Sequence, residues 1–153
     1  MLLMIIFFLM GCERTPDTKA NVVCTTTMIT DVTKTIVGDK LNVIGLMGPG
    51  IDPHLYKATA HDVKILNDAQ LIFYNGLDLE AKMDEFLIQL STKKPVIAVA
   101  DSIDKELLIK VDHQLYDPHI WFDLELFSTV ILEIKNQLVT VFPDHKSTFL
   151  KNY

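Results

Sequence analysis

Leu71-Ile72-Phe73-Tyr74-Asn75-Gly76 is an apolar run of four closed by a turn pair, and it reads as a short strand buried on both faces. Ahead of it, Thr59 with Asp62 three positions on is a capping-box-like start for a helix running to about Asn67. Behind it, Leu79, Met83, Phe86, Leu87 and Leu90 recur at helical spacing. Val96 to Ala100 then forms another apolar strand. Further out on the N-terminal side, Leu41 to Leu46 and Asn21 to Thr26 read as two more strands. Between them lies a helix from Met28 to Val37, with Thr27 as its cap, Met28, Val32 and Ile36 on its inner face, and Gly38 as its stop.

On the C-terminal side a polar stretch from Asp101 to Asp117 holds one short helical or extended piece near Leu107. Asp123 caps a long helix that turns Leu124, Phe127, Ile131, Ile134, Leu138 and Val141 inward, and Phe142-Pro143-Asp144 ends it. His145 to Tyr153 forms the first turns of a further helix. Four apolar strands alternating with helices define an α/β fold, a four-stranded parallel sheet flanked by helices on both faces. Ligand sites of such sheets lie beyond the carboxyl ends of the strands.

The chain has 153 residues, 49% of them hydrophobic and 22% charged, which suits one folded domain with a substantial core. Its net charge of −6 argues against a nucleic-acid partner. Met1 to Met10 is wholly apolar, too short to span a bilayer, and leads into Leu9-Met10-Gly11-Cys12. That pattern resembles a bacterial lipobox, so residues 1–11 are expected to be a lipoprotein signal peptide and Cys12 the lipidated residue. No Lys or Arg precedes the run. The polar stretch that follows makes residues 12–20 a tether. Cys24, inside a strand, is expected to be a buried free thiol rather than the disulfide partner of Cys12.

The chemistry rests on one echo. Asp52-Pro53-His54 and Asp117-Pro118-His119 are the same tripeptide, the first after the second strand and the second well after the fourth. A neutral imidazole is the commonest metal ligand. The proline stiffens the backbone that aims each ring, and the carboxylate two residues back is placed to orient it. Each tripeptide alone also suits an ordinary turn.

Three segments follow in order: Gly50-Ile51-Asp52-Pro53-His54-Leu55-Tyr56, Asn75-Gly76-Leu77-Asp78-Leu79-Glu80 and Asp117-Pro118-His119-Ile120-Trp121-Phe122-Asp123. Together they resemble the metal-specific solute-binding proteins of ABC transporters, the ZnuA/TroA family, and the resemblance covers residues 21–153. It implies one lobe of a two-lobe periplasmic-binding-protein-like fold, with residues 21–142 as the N-terminal metal-binding lobe and residues 143–153 as the start of a truncated inter-lobe helix. It also implies that His54 and His119 bind Zn2+ or Mn2+ as the transported ligand, that the remaining ligands lie in a second lobe, and that the partner is an ABC permease in the membrane. The expected place is the bacterial cell envelope, lipid-anchored to the membrane and facing the periplasm or the exterior. Lys57 and Ala58 stand where the family tends to have Glu and Pro, and no His-rich insert separates the motifs, which leaves the metal open or tilts it toward manganese.

On this reading the second lobe is absent or separately encoded, and a decayed or truncated gene product is preferred to a split protein. Two neutral imidazoles bring no charge against a dication, so metal binding by this lobe alone is expected to be weak, and the uncovered face to carry an apolar patch. His61 and His145 read as surface residues, His113 as a loop histidine with a minor claim as a spare ligand, and Trp121 as a wall beside the site. No paired carboxylates or phosphate loop mark an enzyme. The alternatives are a surface lipoprotein adhesin or interaction module, a non-functional fragment and, last, a metal hydrolase, for which the sequence lacks a dense ligand motif.

Overall fold

The computed structural model describes residues 19–113 and 115–153. Four strands, β1 (Asn21–Cys24), β2 (Asn42–Gly45), β3 (Leu71–Tyr74) and β4 (Val96–Ala98), form one parallel sheet in the order β2-β1-β3-β4. Val23 of β1 pairs with Ile44 on one side and Ile72 on the other, and Phe73 pairs with Ile97. Side chains alternate across each strand. Val22, Cys24, Leu71 and Phe73 therefore enter one core, and Val23 and Ile72 enter the other.

The first core is closed by α1 (Thr27–Val37), α4 (Leu124–Val141) and α5 (Lys146–Asn152). Ile29 and Ile36, Val130, Ile134 and Leu138, and Phe149 are the side chains these helices bury there. The second core is closed by α2 (Ala60–Asp68) and α3 (Asp84–Ser91), through Leu66, Leu87 and Leu90. Full burial of a side chain such as Phe149 or Leu138 is worth about 1.5–3 kcal/mol relative to exposure. The expected α/β sheet with helices on both faces is what the chain forms.

Several local expectations give way to packing. Thr26, not Thr27, occupies the N-cap of α1, and the Thr27 hydroxyl turns to the Met28 sulfur instead. The buried face of α1 is Ile29, Thr30, Thr33, Ile36 and Val37, with Val32 half-buried against the same core and Met28 half-buried at the start of the helix. The buried Thr30 hydroxyl satisfies itself on the Thr26 carbonyl at 2.7 Å. Helix α3 begins only at Asp84, because Leu77 (φ 53°) and Asp78 (φ 60°) take left-handed backbone, so Leu79 and Met83 are buried from turns ahead of it. Strand β4 stops at Ala98, where the chain winds into a 3-10 turn and the Ala100 N–H bonds the Asn75 carbonyl at 3.0 Å. Leu124 is 83% exposed, and the buried stripe of α4 is Val130, Ile134 and Leu138.

Other expectations hold. Asp123 caps α4 through the Glu125 and Leu126 N–H groups, and Thr59 and Asp62 form a reciprocal capping box at α2. Cys24 is a buried free thiol whose burial pushes its pKa up to about 12, with the Thr33 hydroxyl 3.4 Å away. Cys12, the signal and most of the tether lie outside the described residues. Among the described residues no helix is long and apolar enough to cross a membrane.

Candidate metal centre

Both Asp-Pro-His tripeptides lie beyond the carboxyl ends of the strands, and they adopt the same local turn. The Asp52 carboxylate accepts the His54 N–H at 2.9 Å, and the Asp117 carboxylate accepts the His119 N–H at 3.0 Å. This is an Asx-type turn, in which the side chain two residues back stands in for a backbone acceptor. Proline between them fixes the intervening φ.

The first loop leaves β2 through the Met47 N–H, which bonds the Thr25 carbonyl at 3.0 Å. It is tied down on its far side by the Tyr56 hydroxyl, which donates to Asp62 at 2.8 Å. Asp62 also accepts from the Thr59 N–H and hydroxyl, both at 2.8 Å. Burial works against its charge, but the bonds from Thr59 and Tyr56 outweigh it and hold its carboxyl below the ordinary range. Burial, then the bond to Asp62, pushes the Tyr56 phenol up to about 12.

These loops bring the two rings together. His54 Nε2 and His119 Nε2 stand 3.4 Å apart, with the ring centroids separated by 5.4 Å. His119 Nδ1 lies 2.6 Å from the same Asp117 oxygen that holds its backbone N–H. Those two bonds from His119 hold the Asp117 carboxyl below the usual carboxylate range. A proton on Nδ1 donated to Asp117 leaves Nε2 as a bare lone pair facing His54. The spacing is that of two ligands on one metal: nitrogens about 2.0–2.1 Å from a tetrahedral zinc stand about 3.3–3.4 Å apart.

Trp121 meets His119 edge-on, with centroids 5.2 Å apart, and walls a cavity with Met28, Met47 and Pro53 behind the pair. On the other side of His119 a groove of about 320 Å³ is lined by Leu107, Ile109 and Phe122. These three are 65%, 69% and 82% exposed. Among the described residues no group of three or more His, Cys, Asp or Glu is placed to hold a metal, so the pair stands without a third donor. His61 is exposed, as expected, and the loop histidine His113 is exposed as well. His145 instead is half-buried, its ring edge-on to Phe149 at 5.9 Å.

Glu80, to which sequence reasoning assigned no individual role, is wholly buried. Its carboxylate accepts from the Thr25 hydroxyl at 2.6 Å, the Asn75 N–H at 2.8 Å and the Gly76 N–H at 3.1 Å. Burial pushes its pKa up, against the pull of these donors. Asn75, 1% exposed, sends its side-chain N–H to the Pro118 carbonyl at 3.1 Å. The available signal for Glu80 was its place at the end of the Asn75-Gly76-Leu77-Asp78-Leu79-Glu80 segment, one of the three that carry the resemblance.

Residues 22–153 match the family described as zinc-uptake complex component A, periplasmic (ZnuA). The manganese-binding lipoprotein MntA of Bacillus subtilis is 39% identical over 152 residues, which are 95% of this chain and 50% of MntA. The zinc-binding protein TroA of Treponema pallidum is 41% identical over 141 residues, 92% of this chain and 46% of that protein. The solved structure of periplasmic TroA superposes with a TM-score of 0.86 at 41% identity, over 88% of this chain and 49% of TroA. The chain thus spans about half the length of the curated relatives it matches.

Proposed function

The chain belongs to the zinc-uptake complex component A family, and from that premise we propose that it is the first lobe of an extracytoplasmic carrier that captures Zn2+ or Mn2+ for an ABC permease. His54 and His119 are the ligands this lobe supplies. The observation that carries the reading is the 3.4 Å approach of their Nε2 atoms, with Asp117 holding one ring in the ligating tautomer. A second lobe covers Leu107, Ile109 and Phe122 and brings the anionic donors. Cys12 carries the lipid that holds the protein at the membrane of the cell envelope. The relatives named manganese-binding lipoprotein and zinc-binding protein support both the anchor and the pair of metals. The chain acts as a carrier and not as a catalyst, a reading supported by its match to an uptake family.

The strength of the half-site follows from its donor count. Four-ligand structural zinc sites yield about 10–16 kcal/mol, so two of four ligands yield about 5–8 kcal/mol, and the absence of charge favours the weak end. That range corresponds to a Kd between about 1 μM and 0.2 mM. Calorimetric titration of Zn2+ and Mn2+ into residues 20–153, beside the variant His54→Ala with His119→Ala, tests it. Heat in the unmodified protein that vanishes in the variant is the expected result. Equal binding by both would move the site away from these histidines.

A further inference from the structure

The two histidine loops leave different strands, and their tripeptides are 65 positions apart in sequence, yet their ring nitrogens meet at ligand spacing. One chain of hydrogen bonds, buried up to its part-buried last link, runs from the root of one loop to the tip of the other. The Met47 N–H, where the His54 loop begins, bonds the Thr25 carbonyl at 3.0 Å. The Thr25 hydroxyl donates to Glu80 at 2.6 Å. Glu80 gathers the Asn75 and Gly76 N–H groups at 2.8 and 3.1 Å, and the Asn75 side chain donates to the Pro118 carbonyl at 3.1 Å, one residue before His119. We propose that this path sets the His54–His119 spacing, with Asn75 as the positioning residue that holds the His119 loop and Glu80 as its anchor.

Three features fit that role and not mere filling. Thr25, Asn75 and Glu80 are at most 1% exposed, so the bonds to Glu80 are shielded from water and hold fixed geometry, and the Asn75 bond to Pro118 is part-buried. The turn they fix leaves no room for variation: Gly76 has φ 83°, and a Cβ there would stand 3.0 Å from the Ala98 Cβ. The bond to Pro118 is made to backbone, so it fixes the peptide that carries His119 and leaves the ring free to take a ligand. Glu80 spans the turn because Leu77 and Asp78 adopt left-handed backbone, which folds the carboxylate back under Asn75. Asn75 touches neither ring and acts through the Pro118 peptide.

The inference rests on the metal-capture reading for its purpose but not for its test. In the full chain without metal, rings with centroids 5.4 Å apart give a nuclear Overhauser effect between His54 and His119 ring protons. Asn75→Ala is expected to abolish that effect while the protein keeps its far-ultraviolet circular dichroism. It is also expected to weaken Zn2+ binding about 10-fold, the scale for loss of a supporting contact outside the ligand set. The same substitution in a His119→Ala background is expected to cause no further loss, since it acts through His119. Should Asn75→Ala fail to fold, Asn75→Ser, which keeps a small polar group but cannot reach Pro118, carries the same expectation. An unchanged ring-to-ring effect in the folded variant overturns the proposal, as does an equal affinity loss in the His119→Ala background. If the unmodified chain binds no Zn2+, the metal-capture reading fails, and the ring-to-ring effect still decides the positioning role.

Discussion

The two Asp-Pro-His segments share the bond from the histidine N–H to the aspartate side chain and differ in what else their carboxylates do, which makes them a matched pair for substitution. Asp52 holds the His54 N–H at 2.9 Å, and among the described residues it makes no bond to a ring nitrogen. Asp117 holds both the His119 N–H at 3.0 Å and its Nδ1 at 2.6 Å. Asparagine in either position keeps an oxygen for the backbone bond and removes the charge. At Asp117 the removal converts a charge-assisted bond to imidazole into a neutral one, about half as strong, and loosens the choice of tautomer. Loss of such an outer partner costs about 10–100-fold in metal affinity, or about 1.4–2.7 kcal/mol. Asp117→Asn is therefore expected to weaken Zn2+ binding about 10-fold, and Asp52→Asn no more than about 3-fold. Competition against a chromogenic zinc chelator measures both. Thermal melting is the control, because both side chains are near the surface and their loss is expected to move stability by no more than about 0.5 kcal/mol. Equal losses for the two variants, or an Asp117→Asn affinity within twofold of the parent, would refute the tautomer argument.

Glu80→Ala leaves the Thr25 hydroxyl and the Asn75 and Gly76 N–H groups without their acceptor; at about 1–3 kcal/mol for each buried donor the loss is expected to reach at least about 3 kcal/mol in urea unfolding. Glu80 has a folded pKa raised above its ordinary 4.5 by burial, so the native state binds its proton more tightly than the unfolded chain does. Its stabilising contribution is full below 4.5 and is lost as pH rises through the folded value, and a Glu80→Gln variant is expected to lack that part of the pH slope. Leu138→Ala empties a fully buried site against Val130 and Ile134 and is expected to cost about 2–5 kcal/mol, seen as a lower melting temperature. The Cys24 thiol, buried and with its pKa pushed up to about 12, is expected to resist alkylation at pH 8 in the folded protein and to react once urea unfolds it.

How far the sequence could be read depends on the range of the interaction concerned. The inner strands β1 and β3 were legible because burial on both faces of a parallel sheet demands a short apolar run, and the half-buried edge strands β2 and β4 keep enough of that pattern to be read. The cap of α2 was legible because Thr59 and Asp62 reach each other within three residues. The start of α1 was not, since two adjacent threonines offer the same local chemistry, and packing of Ile29 and Ile36 decides the register. The spacing Leu79, Met83, Phe86, Leu87, Leu90 pointed to one helix, but left-handed backbone at Leu77 and Asp78 breaks its first turn, and hydrophobic periodicity carries no trace of φ. His54 and His119 stood out through repetition alone. Asn75 could not, because its partner is 43 residues away and meets it only after the chain has crossed back over the end of β3.

The pair of histidines also limits where metal choice can reside. Their spacing suits a tetrahedral ion with nitrogen ligands, and zinc accepts nitrogen and oxygen donors readily, whereas manganese favours additional carboxylate oxygens. Both rings are neutral when they bind, so this face offers a dication no compensating charge. Asp117 does not fill that gap, because its oxygen is turned to the far nitrogen of His119 and not to the space between the rings. The preference between the two metals must then come from the number and charge of the donors that complete the shell. The chain is 41% identical to a relative named zinc-binding and 39% identical to one named manganese-binding, so overall similarity does not separate the two metals. What this face contributes is geometry: two imidazole Nε2 atoms 3.4 Å apart, on loops rooted at the end of a parallel sheet.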